Sequence, residues 1–281
     1  MIVCRSAAEL RRLREVNQLV GHVLAQLREA VAPGVTTGDL DVLAEREIRG
    51  GGAVPAFKGY KGYPATICAS VNEQVVHGIP SRKTVLSEGD IISIDLGAKM
   101  GGFFGDSAVT VGVGRIDPKS AELLRVTEES LWKAIDVVRP GARISDIGHA
   151  VQSHVERAGF SVVREFVGHG IGSELHEEPQ IPNYGEPGRG PRLAEGMVLA
   201  IEPMVNLGHA GVRVLRDGWT AITSDRSLSA HFEHTVAVTS DGAEVLSLAR
   251  NGTGAEAPDQ SKSPAKGQDD EGTSVSQAHL R

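Results

Sequence analysis

Two apolar segments of the chain, 107 positions apart, each end on an acidic side chain. "SEGDIISIDLG" carries Asp95, and "AEGMVLAIEPM" carries Glu202 in the same rhythm. Asp106 in "FFGDSAVT" and Glu233 in "FEHTVAVT" also lie in apolar surroundings. A carboxylate is costly to bury unless it is paired or binds a cation. Each acid taken alone also fits an exposed position or a turn, where strand acids are commonly found.

Three histidines lie beside glycines or in shaped turns and are candidates for chemistry. His169 lies between two glycines in "VGHGIG", while His77 and His176 lie in "VVHGIP" and "LHEEPQIP". Histidine is the commonest metal ligand, although a single loop histidine is more often structural. With four carboxylates and one imidazole, the set suits Mn²⁺, Fe²⁺, Co²⁺ or Zn²⁺. It predicts two ions that share carboxylates and activate a water molecule.

Strand geometry predicts how these acids would meet. If the chain closes as a hairpin about Met100 and Gly101, Asp95 and Asp106 face each other directly across the two strands. Like charges in that position repel and destabilise the sheet, so a cation is expected between them. Alternation along "AHFEHTVAV" places Glu233 on the same side as His231.

Composition excludes several classes of protein. The chain has 281 residues, a formal net charge of −7 and a pI near 5.8, which argues against a nucleic-acid substrate or an anionic membrane partner. Cys4 and Cys68 are too few for a disulfide framework. The sequence shows neither a secretion signal nor an apolar run that could span a bilayer. A soluble, cytoplasmic protein with one large core is therefore expected.

Local signals predict the elements that position these residues. Ser6 and Glu9 form a capping-box pattern, and apolar residues then recur at helical spacing until Pro33-Gly34. "GVTTGDLDVLAEREIRGGGA" predicts a second helix, and "YPATICASVN" predicts a strand. Residues 251–281 are rich in Gly, Ser, Pro, Asp and Gln, which is typical of a disordered tail.

A second pair of segments repeats at the same 107-residue offset. "PGVTTGDLDVLAEREIRGGG" begins at Pro33, and "PGARISDIGHAVQSHVERAG" begins at Pro140. Pro-Gly before a helix is common in any protein, so either segment alone means little, but their common offset favours a duplicated unit. We expect one catalytic domain over residues 1–250, with pseudo-two-fold halves of about 1–115 and 116–250. This symmetry would bring Asp95 and Glu202 to one central cleft.

These motifs together strongly resemble the type I methionine aminopeptidases, of the pita-bread (creatinase/aminopeptidase) fold. The resemblance spans residues 1 to about 250 and rests on "ICASVNEQVVHGIP", "IDLG" with "FFGDSAVT", "GHGIG" with "LHEEPQIPNYG", "GMVLAIEPM" and "FEHTVAVT". It implies a duplicated α+β fold in which a central curved antiparallel sheet carries two metal ions and helices cover its outer face. The absence of a Cys- and His-rich N-terminal zinc region fits the short bacterial form.

The resemblance also implies a role for each site residue. Asp95 would chelate one ion, His169 and Glu202 would bind the other, and Asp106 and Glu233 would bridge them. Glu202 would carry the proton from the water to the leaving amine, while His176 would polarise the peptide carbonyl and His77 would contact the amide side. The methionine side chain would pack against six residues, each of which alone also fits plain core packing: Phe57, Tyr60, Tyr63, Cys68, Leu175 and Trp219.

Two positions depart from the family pattern without removing a ligand. Leu175 stands where phenylalanine is more frequent, which could widen the pocket, and His231 stands where glutamine is usual, which could alter metal preference. The function implied is co-translational removal of initiator methionine from nascent chains whose second residue is small. A monomer with two divalent ions and transient ribosome association is expected.

Two alternative functions use the same fold. An Xaa-Pro aminopeptidase usually carries a separate N-terminal domain, for which the segment before Asp95 is too short. A catalytically inactive binding protein would be expected to have lost metal ligands, whereas all five are present here.

Overall fold

The computed structural model describes residues 1–249, so the predicted tail over 251–281 lies outside the described residues. Helix α1 (Ala7–Ala30) begins at the predicted N-cap, where Ser6 and Glu9 form a reciprocal capping box. It ends one turn before Pro33-Gly34. Helix α2 (Thr37–Gly50) begins with a second capping box, formed by Thr36 and Asp39.

Two further helices follow the first long hairpin of strands. Helix α3 (Pro118–Asp136) begins after Asp117, whose carboxylate accepts hydrogen bonds from two backbone N–H groups of the first turn. Helix α4 (Ile144–Arg157) begins 107 residues after the start of α2. The two-fold relation of the halves stays a prediction, which this shared offset supports.

The strands of residues 1–249 form one large antiparallel sheet and two small ones. Their order in the large sheet is β1-β4-β5-β14-β9-β7-β8, with β2 beside β4 and β15 beside β14. The small sheets are β13-β10-β6 and β11-β12-β3. The bounds are β1 (Val54–Pro55), β2 (Ile67–Val71), β3 (Gln74–Val76), β4 (Ile91–Met100), β5 (Phe103–Gly112), β6 (Ser161–Val162), β7 (Gly168–Gly170), β8 (Glu177–Ile181), β9 (Val198–Ile201), β10 (Met204–Asn206), β11 (Val212–Val214), β12 (Ala221–Thr223), β13 (Ser229–His231), β14 (Glu233–Thr239) and β15 (Gly242–Val245).

The register of the β4–β5 hairpin differs from the sequence prediction. Asp95 pairs with Ala108, and Asp106 pairs with Gly97, so the two aspartates do not face each other directly. The turn residues are Gly101 and Gly102, both with positive φ (58° and 88°), as a two-residue hairpin turn of type I′ requires. Because this register is shifted by two residues, the side chains still lie on one face, as diagonal neighbours.

Alternation along β4 separates the core from the site. Ile92, Ile94 and Leu96 are fully buried and pack in one cluster with apolar residues of α1 and α2. Asp95 lies between them in sequence and therefore points to the opposite face. Each buried aliphatic side chain contributes about 1.5–3 kcal/mol to folding. The helices thus cover one face and leave the acids on the other. None of the helices described in residues 1–249 is long and apolar enough to cross a membrane.

Candidate metal centre

Three predicted acids lie on neighbouring strands around one alanine. Asp95 of β4 and Glu233 of β14 both pair with Ala108 of β5, and Asp106 lies two residues before Ala108 on the same strand. Residues two apart on a strand share a face. The sheet therefore brings the three carboxylates together, although they come from two separate parts of the sequence.

The other two predicted ligands come from the adjoining strands of the sheet. His169 of β7 pairs with Ala200 of β9, and Glu202 follows β9 directly. The Nε2 atom of His169 lies 3.7 Å from Oε1 of Glu202. The Nδ1 atom lies 2.9 Å from the carbonyl oxygen of Gly170, and a carbonyl only accepts, so Nδ1 carries the proton. The lone pair of Nε2 then faces the acids, as in histidines that bind metal ions.

The donor set fits a divalent cation. Among the residues that the structure describes, five buried side-chain atoms have no hydrogen-bond partner, and three of them are carboxylate oxygens: Oδ1 of Asp95, Oδ1 of Asp106 and Oε1 of Glu233. Buried polar atoms are nearly always satisfied, so such a cluster calls for a further partner. One ligand atom each from Asp106, His169 and Glu233 lie within 4.8 Å of one another.

The acids of this cluster lie close enough that their negative charges repel one another when they are ionised without a cation. Burial and then the charge of Asp95 raise the pKa of Asp106 well above its usual range. Burial and then the charge of Asp106 do the same to the pKa of Glu233. Burial, opposed in part by His231, raises the pKa of Asp95 to about 7. A bound cation reverses this balance, because opposite charge favours the ionised carboxylate.

Every residue predicted for the metal and substrate sites lines one cavity of about 230 Å³. The five candidate ligands supply all of its carboxylates. The remaining predicted residues form its walls: Phe57, Tyr60, Tyr63, Cys68, His77, Leu175, His176 and Trp219. The cavity thus joins an acidic floor to a largely apolar and aromatic pocket.

His176 and His77 approach this cavity from different elements. The centroid of the His176 ring lies 4.3 Å from that of the His169 ring. The His176 ring also stacks on Tyr60, whose hydroxyl oxygen lies 2.9 Å from His176 Nδ1. Although the residue as a whole is exposed, its imidazole is partly desolvated where it faces the cavity. This desolvation and then the neighbouring His169 lower the pKa of His176 to about 4. His77 has a positive φ of 60°, a conformation uncommon outside glycine, and burial lowers the pKa of its imidazole.

The cavity also includes residues that sequence reasoning missed. They are Lys61, Val76, Phe166 and Val167, with Phe166 in edge contact with the His77 ring at 5.5 Å. Phe166 and Val167 directly precede the "GHG" motif, and this position beside a candidate ligand was the one sequence feature that could have indicated that they line the cavity. Because apolar residues are usually simply buried, their type alone did not distinguish them from core.

Comparisons with known proteins agree with this geometry. Residues 11–240 match the model of metallopeptidase family M24. The chain is 53% identical over 246 residues to methionine aminopeptidase 1 of Bacillus subtilis, covering 88% of this chain and 99% of that protein. The crystal structure of a methionine aminopeptidase from Thermotoga maritima superposes with a TM-score of 0.87 at 48% identity, covering 88% of this chain and 99% of that one.

A more distant structure shares the fold alone. The prolidase from Pyrococcus horikoshii superposes with a TM-score of 0.71 at 22% identity, covering 88% of this chain and 64% of that one. The predicted α+β fold with a central antiparallel sheet and helices on its outer face, the pita-bread fold, is confirmed.

Proposed function

The chain belongs to metallopeptidase family M24, and on that premise we propose that it is a methionine aminopeptidase, which removes N-terminal methionine from proteins and peptides. The observation that carries this proposal is that one cavity is lined both by buried carboxylates that lack hydrogen-bond partners and by aromatic and apolar side chains. Such a cavity can hold an apolar side chain beside a hydrolytic metal centre.

The chain's donor set supports a centre of two divalent ions, Co²⁺, Mn²⁺, Fe²⁺ or Zn²⁺. Asp95 would hold one ion, His169 and Glu202 the other, and Asp106 and Glu233 both. When bound, such ions polarise the scissile carbonyl and lower the pKa of a water molecule. The oxygen-rich donors favour hard or borderline ions over a thiolate-type site.

Glu202 is the proposed proton carrier. Its carboxylate is partly exposed within the cavity, unlike the buried Asp106 and Glu233, so a water molecule in the cavity can approach it. In this role it accepts a proton from the attacking water and passes it to the leaving amine, as general acid–base hydrolysis requires.

His176 is the proposed donor to the peptide carbonyl. With a pKa of about 4, its imidazole is neutral near pH 7. The Tyr60 hydroxyl, 2.9 Å from Nδ1, can donate to that nitrogen, which leaves the proton on Nε2. The Nε2–H group then donates to the carbonyl oxygen as negative charge develops there. His77 would contact the amide side of the same bond.

The walls of the cavity suit a methionine side chain. Tyr63 and Trp219 meet edge to face at 5.1 Å between centroids, and Cys68 is buried beside them. A thioether packs favourably against aromatic edges and adapts to irregular pockets. Phe57, Tyr60 and Leu175 would complete this subsite.

The cellular setting is also part of the proposal. The substrates would be nascent polypeptide N-termini with a small second residue, processed co-translationally in the cytoplasm during transient ribosome association. The net charge of −7 supports the expectation that neither nucleic acid nor a membrane is the substrate. A monomer suffices, since all candidate site residues come from one chain.

Peptide turnover tests the proposed function. Purified protein given Met-Ala-Ser and Ala-Pro-Ser with Mn²⁺ or Co²⁺ should release methionine from the first peptide and nothing from the second. Release of alanine from Ala-Pro-Ser would favour a proline-directed peptidase. No methionine release with any divalent metal would exclude the proposed activity.

A further inference from the structure

His231 is a buried imidazole inside the cavity for which the proposed function provides no task. It ends β13, its side chain is 2% exposed, and its backbone is fixed on both sides. The His231 N–H donates to the Thr110 hydroxyl at 2.8 Å, and that hydroxyl donates to the His231 carbonyl oxygen at 2.8 Å. On the other side, His231 pairs with Met204 of β10, so β5 and β10 together set its position rather than a loop.

The ring nitrogen of His231 is one of the partnerless atoms that mark the site. Nε2 is the one nitrogen among the five unsatisfied buried side-chain atoms of residues 1–249, and it lies 3.4 Å from Oε2 of Glu202. Oε1 of the same carboxylate faces Nε2 of His169 at 3.7 Å. Glu202 thus lies between two imidazoles, with one oxygen toward each.

We propose that His231 is a positioning residue for Glu202, whose Nε2–H donates to Oε2 and leaves Oε1 to face the metal centre. At 3.4 Å the two atoms are just beyond a normal hydrogen bond. Catalytic hydrogen bonds are often long without substrate and shorten in the reactive complex. This inference rests on the proposed function, because it assigns separate tasks to the two oxygens of the proposed proton carrier.

A hydrogen bond from His231 would fix the orientation of the Glu202 carboxylate, which simple packing would not do. If Oε2 accepts from His231, the carboxylate cannot rotate freely, and Oε1 stays directed toward its metal and its water. Residues that orient a metal ligand typically change metal affinity or activity by about 10–100-fold when replaced. A residue that only fills space would instead change stability.

Two substitutions separate these possibilities by the position of a single N–H. His231→Gln places an amide nitrogen where Nε2 lies, whereas His231→Asn reaches only the place of Nδ1. We expect His231→Asn to lower kcat on Met-Ala-Ser about tenfold or more, with KM changed less than about twofold. Mn²⁺ affinity, measured by calorimetry, should weaken by about tenfold.

His231→Gln should recover most of both quantities, and His22→Asn on the exposed face of α1 is the matched control for a His→Asn change. If His231→Asn does not fold, His231→Met, which fills the volume without a donor, takes its place. Wild-type kcat and Mn²⁺ affinity in His231→Asn would overturn the proposal. Equal impairment in the Gln and Asn variants would also overturn it, since packing would then explain the effect.

The two proposals fail in different ways. A wild-type protein that turns over no methionine peptide with any metal defeats the proposed function. The Mn²⁺ affinities of the two variants still decide the role of His231 in that case, because they do not depend on turnover.

Discussion

Glu177, at the edge of the central sheet, and Asp106 and Glu233, at its middle, are carboxylates held in opposite ways. Glu177 of β8 is paired with the Arg5 guanidinium and accepts a hydrogen bond from the backbone N–H of Glu174 at 3.0 Å. Asp106 and Glu233 are more deeply buried, and each has an oxygen without any partner in the described residues.

The pKa directions record this difference. Burial acts against ionisation of Glu177, but the Glu174 N–H and Arg5 outweigh it and lower the pKa of that carboxyl. At the middle of the sheet burial and mutual repulsion raise the pKa of Asp106 and Glu233. Lys61 also reaches the cavity, but its ammonium lies over the Tyr60 ring, 5.3 Å from the centroid. The fold neutralises Glu177 with Arg5, whereas Asp106 and Glu233 each keep an oxygen that no group within residues 1–249 satisfies, as expected of acids that receive a cation from solution.

The largest effect is expected when an acid of the central site, Glu202, is removed. Glu202→Ala should lower kcat on Met-Ala-Ser by about 10³-fold or more, because it removes both the proton carrier and a proposed ligand. Calorimetry should show weakened Mn²⁺ binding. Glu195→Ala, at an exposed position before β9, is the control. Near-normal turnover in Glu202→Ala would contradict the assigned role.

The edge pair should respond in stability rather than chemistry. Arg5→Ala leaves the Glu177 carboxylate, 12% exposed, without its cation, which should reduce the free energy of unfolding by about 3–5 kcal/mol. Denaturant titration of metal-free protein measures this change. The double variant Arg5→Met with Glu177→Leu should recover much of the loss, because no charge then stays buried alone. An unchanged midpoint in Arg5→Ala would show that the pair contributes little.

His176 separates transition-state chemistry from substrate binding. His176→Ala should lower kcat about 10²-fold with KM nearly unchanged, since the donor acts on charge that develops during reaction. His209→Ala, at an exposed position before β11, should have wild-type kinetics. If KM alone rose, His176 would serve binding and not polarisation of the carbonyl.

The smallest expected effect is a difference in the pH dependence of stability between an acid of the central site, Asp95, and an acid that is satisfied by backbone N–H groups, Asp225. The folded-state pKa of Asp95 is raised to about 7, so between its ordinary value and pH 7 the folded, metal-free protein binds more protons. Its free energy of unfolding should therefore fall as pH rises through that range. Asp225, which accepts backbone N–H bonds from His209 and Ser227, has a pKa of about 2, so its contribution is lost as pH falls below its ordinary value.

Denaturant titrations of metal-free protein at several pH values test both signs. Asp95→Asn should flatten the fall between about pH 4 and 7, and Asp225→Asn should flatten the loss at lower pH. Saturating Mn²⁺ should remove the Asp95 effect in the wild type. An identical slope in wild type and Asp95→Asn would contradict the raised pKa as its source.

Local patterns in the sequence were sufficient for several features. The capping box at Ser6, the strand over Ile67–Val71 and the five candidate ligands could be read from short segments. The hairpin register could not, because it depended on which two residues form the turn. Gly101 and Gly102 form it with positive φ, so the strand partner of Asp106 is Gly97 and not Asp95. Contacts such as Tyr60 with His176 and Arg5 with Glu177 join residues more than 100 positions apart.

The sequence by itself determined the residue types, the helix starts and the apolar periodicity, because these depend on interactions within a few positions along the chain. Tertiary structure alone decided which oxygen of Glu202 faces His169 and which faces His231, and that three acids surround Ala108. These relations depend on strand order and register, which are set by how distant segments pack together. No local pattern contains that information.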